Sequence, residues 1–567
     1  MKKYSLGLDF GTNSCRAIIA DLSDGREIAA SVFNYPSGQS GVITSPMDPS
    51  ISRQMPQDYI QGLQYVVKES ILAAQNVEGF NPKDIVSIGV DATSSSVMPV
   101  TENMTPLCFL PEFKDNLNAM VWLWKDHSSV RESERISRLA ENKRPLYLLK
   151  IGGVYSVEWF WSKILHCLNE DPEVFHKAFS FIEVADYIPA VLTGETDPKK
   201  VMRCISAAGH KAMYNEEWGG LPDEQFLSLI HPELALLRGR LYEKAFPSNT
   251  PAGHLSKYWA EKLGLSEDVV VSVGCVDAHA GAVGAGIGRG RLVKIIGTSS
   301  CDMMIWPKDN VISYLPGISG VVPDSIVPGY YGIEAGQPAV GDMLLWFVRE
   351  LTPERYGKNV QEKFVNLARE ASALLAGETG LLALDWNNGN RSVLMDPRLS
   401  GLLLGQSLYT SAGEIYRALI EATAFGAQTI INRLKGNGLD FQEIIATGGL
   451  AVNNPLLMQI YSDVTGKAMH LAKSEQTGAL GAAILAGVAA GKEKGGYNSV
   501  EEAQKKMTGI IKSYHPDAQS SRTYTELYSL YTQLYDSFGT ASWQGNLSNV
   551  MKALIQIRED KRKIKQR

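Results

Sequence analysis

One six-residue phrase occurs twice in this chain, and no other feature narrows the possible folds as much. Phe10-Gly11-Thr12-Asn13-Ser14-Cys15 is echoed by Ile296-Gly297-Thr298-Ser299-Ser300-Cys301. Each copy joins two apolar runs: Tyr4 to Phe10 and Cys15 to Ala20 in the first, Leu292 to Ile296 and Met303 to Trp306 in the second. Such runs read as buried strands, and the Gly/Thr/Ser phrase between them as a hairpin turn. A second echo follows in the same order, Asp277 to Gly286 and Thr477 to Gly487, both dense in Gly and Ala. Glycine at that density makes a weak helix by propensity, so these helices serve close backbone approach. A hydroxyl-rich hairpin followed by a small-residue helix, written twice, predicts a duplicated α/β unit with a cleft between the copies. The halves divide near Gly286-Ile287-Gly288-Arg289-Gly290, giving 1–286 and 287–567, and the alternate glycines there suit a hinge.

At 567 residues the chain is too long for one ordinary domain. The formal net charge of -6 offers no electrostatic reason for a nucleic acid or an anionic membrane as partner. A local exception is the basic tail from Arg558 to Arg567, expected to be a solvated end. Six scattered cysteines form no C-x-x-C pair, which favours reduced thiols and a cytoplasmic enzyme. The opening residues run directly into a strand pattern without a signal peptide, and no run of about 18 apolar residues occurs. Asp58 to Gln75 reads as an amphipathic helix, and Ile85 to Val90 as a buried strand ending at Asp91. Tyr524, Leu527, Tyr531, Leu534 and Phe538 form a helical stripe expected to be core contact.

Several familiar signatures are missing: no G-x-x-x-x-G-K-[ST], no G-x-G-x-x-G and no H-E-x-x-H. If the chain holds phosphates, the hairpin turns are the candidates, because glycine lets backbone N–H groups and hydroxyls converge on an anion. Gly11, Thr12 and Asn13 in one turn and Gly297 and Thr298 in the other would face each other across the cleft. Asp9, just before the first turn, can hold Mg2+ through water, since this ion keeps part of its hydration shell. Gly448-Gly449 follows the strand Glu443 to Ala446 and can lie flat beneath a planar base. Asn453 would either cap the next helix or meet the ligand. Asp277 opens the first small-residue helix, either as an ordinary N-cap or as a base for a hydroxyl proton. His279 lacks an evident partner and reads as structural. Segments around Trp122–His127, Glu158–Trp161, Gly209–Lys211 and Gly332–Gln337 mix charged and aromatic residues, as sugar sites do.

These residues resemble a known family. Leu8-Asp9-Phe10-Gly11-Thr12, Ile295-Ile296-Gly297-Thr298-Ser299 and Ala446-Thr447-Gly448-Gly449 are similar to the two phosphate motifs and the adenosine motif of the actin-like ATPase superfamily. Val273-Gly274-Cys275-Val276-Asp277-Ala278-His279 resembles the segment carrying the catalytic Asp of the FGGY carbohydrate kinases, the family of glycerol kinase and xylulokinase. The resemblance extends from residue 4 to about residue 510 in consistent order. It implies two RNase-H-like domains around a catalytic cleft, with ATP and Mg2+ as cofactors and a C-terminal helical tail. Finer text, including Leu123-Trp124-Lys125-Asp126-His127 and Asp385-Trp386-Asn387-Asn388-Gly389, is similar to the branch that phosphorylates L-ribulose. By that resemblance Asp277 is the catalytic base; Lys211, Asp277, Glu334 and Ser96 contact the small-molecule ketopentose; and the enzyme forms a homodimer. The stretch 93–96 departs from that branch's usual text, which leaves D-ribulose, xylulose or ribitol open as alternative substrates. A sugar-independent ATPase of the actin or chaperone type would share the fold.

Overall fold

The computed structural model describes residues 2–310, 312 and 314–566. Two seven-stranded sheets dominate it. The first contains β1 (Tyr4–Phe10), β2 (Ser14–Asp21), β3 (Glu27–Asn34), β4 (Ile85–Ala92), β5 (Pro251–His254), β6 (Val270–Ser272) and β7 (Cys275–Val276). The second contains β8 (Arg291–Ile296), β9 (Ser300–Pro307), β10 (Gly320–Pro323), β11 (Tyr330–Gln337), β12 (Glu443–Thr447), β13 (Met469–Ala472) and β14 (Ile510–Tyr514).

The two sheets repeat one topology. In the first, the order is β3-β2-β1-β4-β6-β5, with β7 also pairing β4; in the second it is β11-β9-β8-β12-β13-β14, with β10 added at the outer edge. Corresponding pairs agree in sense. The hairpins β1–β2 and β8–β9 are antiparallel, and β1–β4 and β8–β12 are parallel. The duplicated hairpin phrase therefore sits at equivalent corners of two equivalent sheets.

Alternation along β1 and β4 explains what each face does. Leu6, Leu8 and Phe10, with Ile88 and Val90, join the core formed by Tyr59, Leu63 and Val66 of the Pro56–Ala74 helix. The opposite face carries Ser5, Gly7 and Asp9 on β1 and Ser87, Gly89 and Asp91 on β4, matched in register. The second small-residue helix, Thr477–Ala490, lies on that face although it belongs to the other half of the chain. A Cβ on Gly7 would stand 1.8 Å from the Ala479 carbonyl oxygen, and one on Gly89 1.9 Å from that of Ala482. Only glycine permits such contact.

The first small-residue helix, Asp277–Ala285, packs in turn against β8, β9 and β12 and crosses the second. A Cβ on Gly481 would be 1.8 Å from the Ala280 carbonyl oxygen, and one on Gly284 2.0 Å from that of Thr477. The two helices thus exchange sheets, and their crossing forms the core shared by the halves. Gly286 ends the first helix in the left-handed conformation at φ 89°.

A smaller five-stranded sheet and several helices, built mainly from residues between the first sheet's strands, form a third core rich in Trp122, Trp161 and Phe160. Arg53 stacks on Trp122 at 3.5 Å and pairs with Asp126 inside it. At the other end of the chain, one expectation needs correction. Phe538 is exposed, and Tyr535 one position round the helix takes its place in the core, because the Ala518–Gly539 helix turns its last residues out toward solvent. The basic tail is solvated as expected over its described residues, its helix anchored ahead of it by buried Val550 and Leu554, while exposed Arg562 bonds Glu414 at 3.1 Å and Lys565 bonds Glu378 at 3.0 Å. Among the described residues no helix is long and apolar enough to cross a membrane.

Candidate active site

The carboxyl ends of the parallel strands converge where the second small-residue helix begins. Asp9 on β1 and Asp91 on β4 are register neighbours, and β7, which pairs beside Asp91 through Cys275, leads directly to Asp277. Asp277 is the first residue of its helix; Val276 occupies the N-cap position, so the N-cap alternative fails. Its Oδ1 accepts from the Ala278 amide at 2.7 Å. Burial, then the negative charge of Asp9, raises the Asp277 carboxyl to about 7; Lys211 counteracts part of the rise. Burial raises Asp9 as well, and Arg16, 3.5 Å away, opposes it.

Lys211, at the end of the Ile205–Lys211 helix, donates to Glu334 Oε1 on β11 at 2.8 Å. His279 lies 3.2 Å from Glu334 Oε2, and its other ring nitrogen is 3.2 Å from the Ser325 carbonyl oxygen. This corrects the expectation of a partnerless His279. His210 joins the group, 3.5 Å from Glu334 and edge-on to His279 with ring centroids 4.7 Å apart. Burial alone would raise Glu334, but the Lys211 charge and the His279 bond hold it well below the usual carboxylate range. Burial keeps His210 neutral by lowering it well below its ordinary value. The Trp159 ring forms a wall 5.7 Å from the Lys211 ammonium.

Ser96 is fully buried. Its amide donates to Glu183 Oε2 at 2.7 Å, and its hydroxyl lies 2.9 Å from Thr93 Oγ1. Lys163 bonds the Ser95 carbonyl oxygen at 2.5 Å and that of Leu123 at 2.9 Å, and burial lowers it to about 8. The 93–96 turn is therefore braced from beneath by Glu183 and Lys163.

The hairpin turns are fixed from outside and open toward the cleft. Trp124 Nε1 donates to Thr12 Oγ1 at 2.9 Å, Gln54 to the Thr12 carbonyl oxygen at 2.7 Å, and Asn13 to that of Ser40 at 2.7 Å. In the second turn the Gly297 amide donates to the Ser299 carbonyl oxygen, and the amides of Val340 and Gly341 donate to the carbonyl oxygens of Thr298 and Gly297. Gly448, at φ 97°, presses on Ile296, where a Cβ would be 2.5 Å from the carbonyl oxygen; a Cβ on Gly449 would meet nothing within 4 Å. Thr447 reaches Thr477 hydroxyl to hydroxyl at 3.0 Å, and a Cβ on Gly478 would lie 3.0 Å from Asp9 Oδ2. The start of the second small-residue helix thus connects the Gly-Gly turn to Asp9. Asn454, not Asn453, caps the helix after that turn, accepting from Leu457; Asn453 is exposed and bonds back to the Gly449 carbonyl oxygen. Of its two alternatives, capping is excluded.

Sequence reasoning gave no role to Asp91, Glu183, Lys163 or Arg391, and reached His210 and Glu158 only as members of segments suited to a sugar. Glu158 sits between His127 at 3.0 Å and Arg391 at 3.5 Å, the latter from the other half of the chain, and is held at about 2 by those two charges against burial. A signal for Asp91 was present. Ser5-Leu6-Gly7-Leu8-Asp9 and Ser87-Ile88-Gly89-Val90-Asp91 share the pattern S-x-G-x-D.

Two sheets of duplicated topology, crossed by glycine helices and holding a carboxylate near a lysine–glutamate pair, match the two-domain architecture with a catalytic cleft that the motifs implied. Sequence comparison agrees: the FGGY family of carbohydrate kinases matches through its N-terminal domain at residues 4–284 and its C-terminal domain at residues 292–490. The chain belongs to the FGGY family of carbohydrate kinases. Within it, the chain is 39% identical to a ribulokinase of Anoxybacillus flavithermus, covering 100% of this chain and 99% of that one. It is 40% identical to a ribulokinase of Halalkalibacterium halodurans over 98% of each. Its fold matches the crystal structure of xylulose kinase from Rhodospirillum rubrum with TM-score 0.75 at 21% identity, over 94% of this chain and 99% of that one.

Proposed function

We propose that this carbohydrate kinase transfers the γ-phosphoryl group of ATP to L-ribulose, giving L-ribulose 5-phosphate and ADP, as a cytoplasmic step of L-arabinose breakdown. The observation that carries the reading is the Asp277 carboxyl, raised to about 7 in a cleft shared with Lys211 and Glu334. A carboxylate so poised is suited to take a hydroxyl proton near neutral pH. The full-length likeness to proteins named ribulokinase supports the choice of sugar.

In this mechanism Lys211 and Glu334 hold the ketose hydroxyls against the Trp159 wall, with the terminal hydroxyl toward Asp277. Ser96, buried with its amide, carbonyl and hydroxyl all bonded, shapes the 93–96 turn behind them. Asp277 accepts its proton as the oxygen attacks the γ-phosphorus in line. Thr12, Asn13 and Thr298 offer backbone and hydroxyl donors to the phosphates, with Gly11 and Gly297, whose amides close the two turns, allowing close approach, while Gly448, Gly449 and Asn453 receive the adenosine. The residues fit Mg2+, which favours hard oxygen donors and keeps several waters. Asp9 presents a carboxylate at 16% side-chain exposure beside Gly478, whose missing Cβ spares its Oδ2 a contact of 3.0 Å. Bound there, the ion would offset charge on the phosphates. Closure of 1–286 on 287–567 about the crossed helices would exclude water.

The test is ADP release with MgATP over L-ribulose, D-ribulose, D- and L-xylulose, ribitol, L-arabinitol, glycerol and no sugar. Strong stimulation by L-ribulose over a low background supports the reading. Stimulation by another sugar moves the substrate and leaves the mechanism. A rate indifferent to sugar throughout overturns it.

A further inference from the structure

We infer that Asp91 is a second carboxylate ligand of the divalent cation, paired with Asp9 across adjacent parallel strands. The inference rests on the kinase reading above and adds to it a residue that neither motif contains.

The S-x-G-x-D repeat places the two aspartates. Ser5 pairs with Ser87, Gly7 with Gly89 and Asp9 with Asp91, so period-two alternation sends all six side-chain positions to one face. The serines are bonded to each other at 2.8 Å, and Ser5 also donates to the Ala483 carbonyl oxygen at 2.8 Å. The glycines carry the Thr477–Ala490 helix. Only the aspartates are left beyond its first turn, so the packing surface ends where the acidic pair begins.

Asp91 differs from a structural aspartate in one decisive respect. It is 0% exposed, and neither of its carboxylate oxygens meets an N–H or hydroxyl donor among the described residues; its polar neighbour is the Asp9 carboxyl, within hydrogen-bond reach. Buried carboxylates elsewhere in the chain are satisfied: Asp126 accepts from Ser52, Ser128 and Arg53, and Asp186 from the Cys204 amide. A buried acid without donors is costly unless something positive meets it. The nearby cation Arg16 is engaged by Asp9 and by Gln476 at 3.2 Å. A Cβ on Gly478 would lie 3.0 Å from Asp9 Oδ2 and 3.6 Å from Asp91 Oδ1, so both carboxylates border the same glycine-made gap. The helix starting at Thr477 directs its positive end there as well. Two hard oxygen donors beside the phosphate-binding turns suit a magnesium-sized ion.

The experiment titrates Mn2+, as a paramagnetic stand-in for Mg2+, into the nucleotide-free full-length protein and reads free Mn2+ by its electron paramagnetic resonance signal. Thermal melting with and without Mn2+ is measured in parallel. The variants are Asp91→Asn and Asp9→Asn, with Asp91→Ser to be read in the same way should the amide variant not fold. Expected is an Mn2+ affinity lower by about tenfold or more in Asp91→Asn, with an ion-free melting temperature at or above that of the wild type and no Mn2+-induced rise. Mn2+ binding within about threefold of wild type in Asp91→Asn, or no binding by the wild type, overturns the inference. Weakening by Asp91→Asn but not by Asp9→Asn keeps Asp91 and removes Asp9 from its role. Failure of L-ribulose to stimulate ADP release would sink the substrate reading and leave the Mn2+ result standing.

Discussion

Replacing Asp277 by Asn removes one proton-accepting site and leaves the side chain's size unchanged, so its consequences for rate and stability can both be derived. As the general base, Asp277 accounts for a factor of about 100 to 10,000 in turnover, and Asp277→Asn should lose that much kcat while still binding ATP. The pH dependence follows from the raised carboxyl. In the free enzyme the base is ionised only above about 7, so wild-type kcat/KM for the sugar should climb with pH to about 7 and then level. Stability runs the opposite way. The folded pKa lies above the ordinary 3.8, so the folded chain binds this proton more tightly than the unfolded chain. The wild type therefore loses stability as pH rises from about 4 through about 7. The shift corresponds to no more than about 4 kcal/mol. Asp277→Asn escapes this loss, so the ligand-free variant should melt a few degrees above wild type at pH 8, with the difference vanishing near pH 4. Stopped-flow or coupled assays of kcat and kcat/KM against pH, with calorimetric melting at both pH values, measure each part. Turnover within about threefold of wild type would refute the assignment of Asp277 as base. A variant less stable than wild type at pH 8 would refute the origin of its raised pKa.

Three further outcomes follow from the geometry. Lys211→Met strips Glu334 of its cation and removes the charge that restrains Asp277; the sugar KM should rise by about tenfold or more, and the kcat/KM profile should move to higher pH. Gly481→Ala drives a methyl group to 1.8 Å from a backbone carbonyl oxygen at the helix crossing and should cost about 3 kcal/mol or more in chemical denaturation. Gly487→Ala on the same helix meets the Leu22 side-chain end at 2.9 Å and should cost less. Gly448→Ala is strained both by its φ of 97° and by contact with Ile296, so the KM for ATP should rise while sugar binding in its absence, followed by calorimetry, stays near wild type.

Much of the cleft was legible because its parts are local. The turn phrases lie between apolar runs whose period announces strands; β1, β2 and β8 form within a residue of the expected bounds, and β9 begins earlier, at Ser300 rather than Met303. Asp277, Lys211 and Glu334 each stood out locally but were legible as one site only through resemblance, since 66 and 57 residues separate them in sequence and no spacing rule joins them. His279 was misjudged for the same reason: it finds Glu334 across 55 residues, where His210 joins it from a helix belonging to another core. Asn453 and Asn454 show a finer limit, because which neighbour caps a helix depends on where the preceding turn ends.

The sequence by itself determined the duplication, the hydroxyl-rich turns and the requirement for close helix packing, since each is written in contiguous residues with a fixed period or composition. Only the tertiary structure decided which sheet each glycine helix covers. The exchange places the start of the Thr477–Ala490 helix over Asp9 and Asp91 of the other half. It also decided the protonation of the site. The raised carboxyl of Asp277 and the depressed one of Glu334 arise from burial and from charges brought together by folding, and charge interaction depends on distance in space, which residue number does not record.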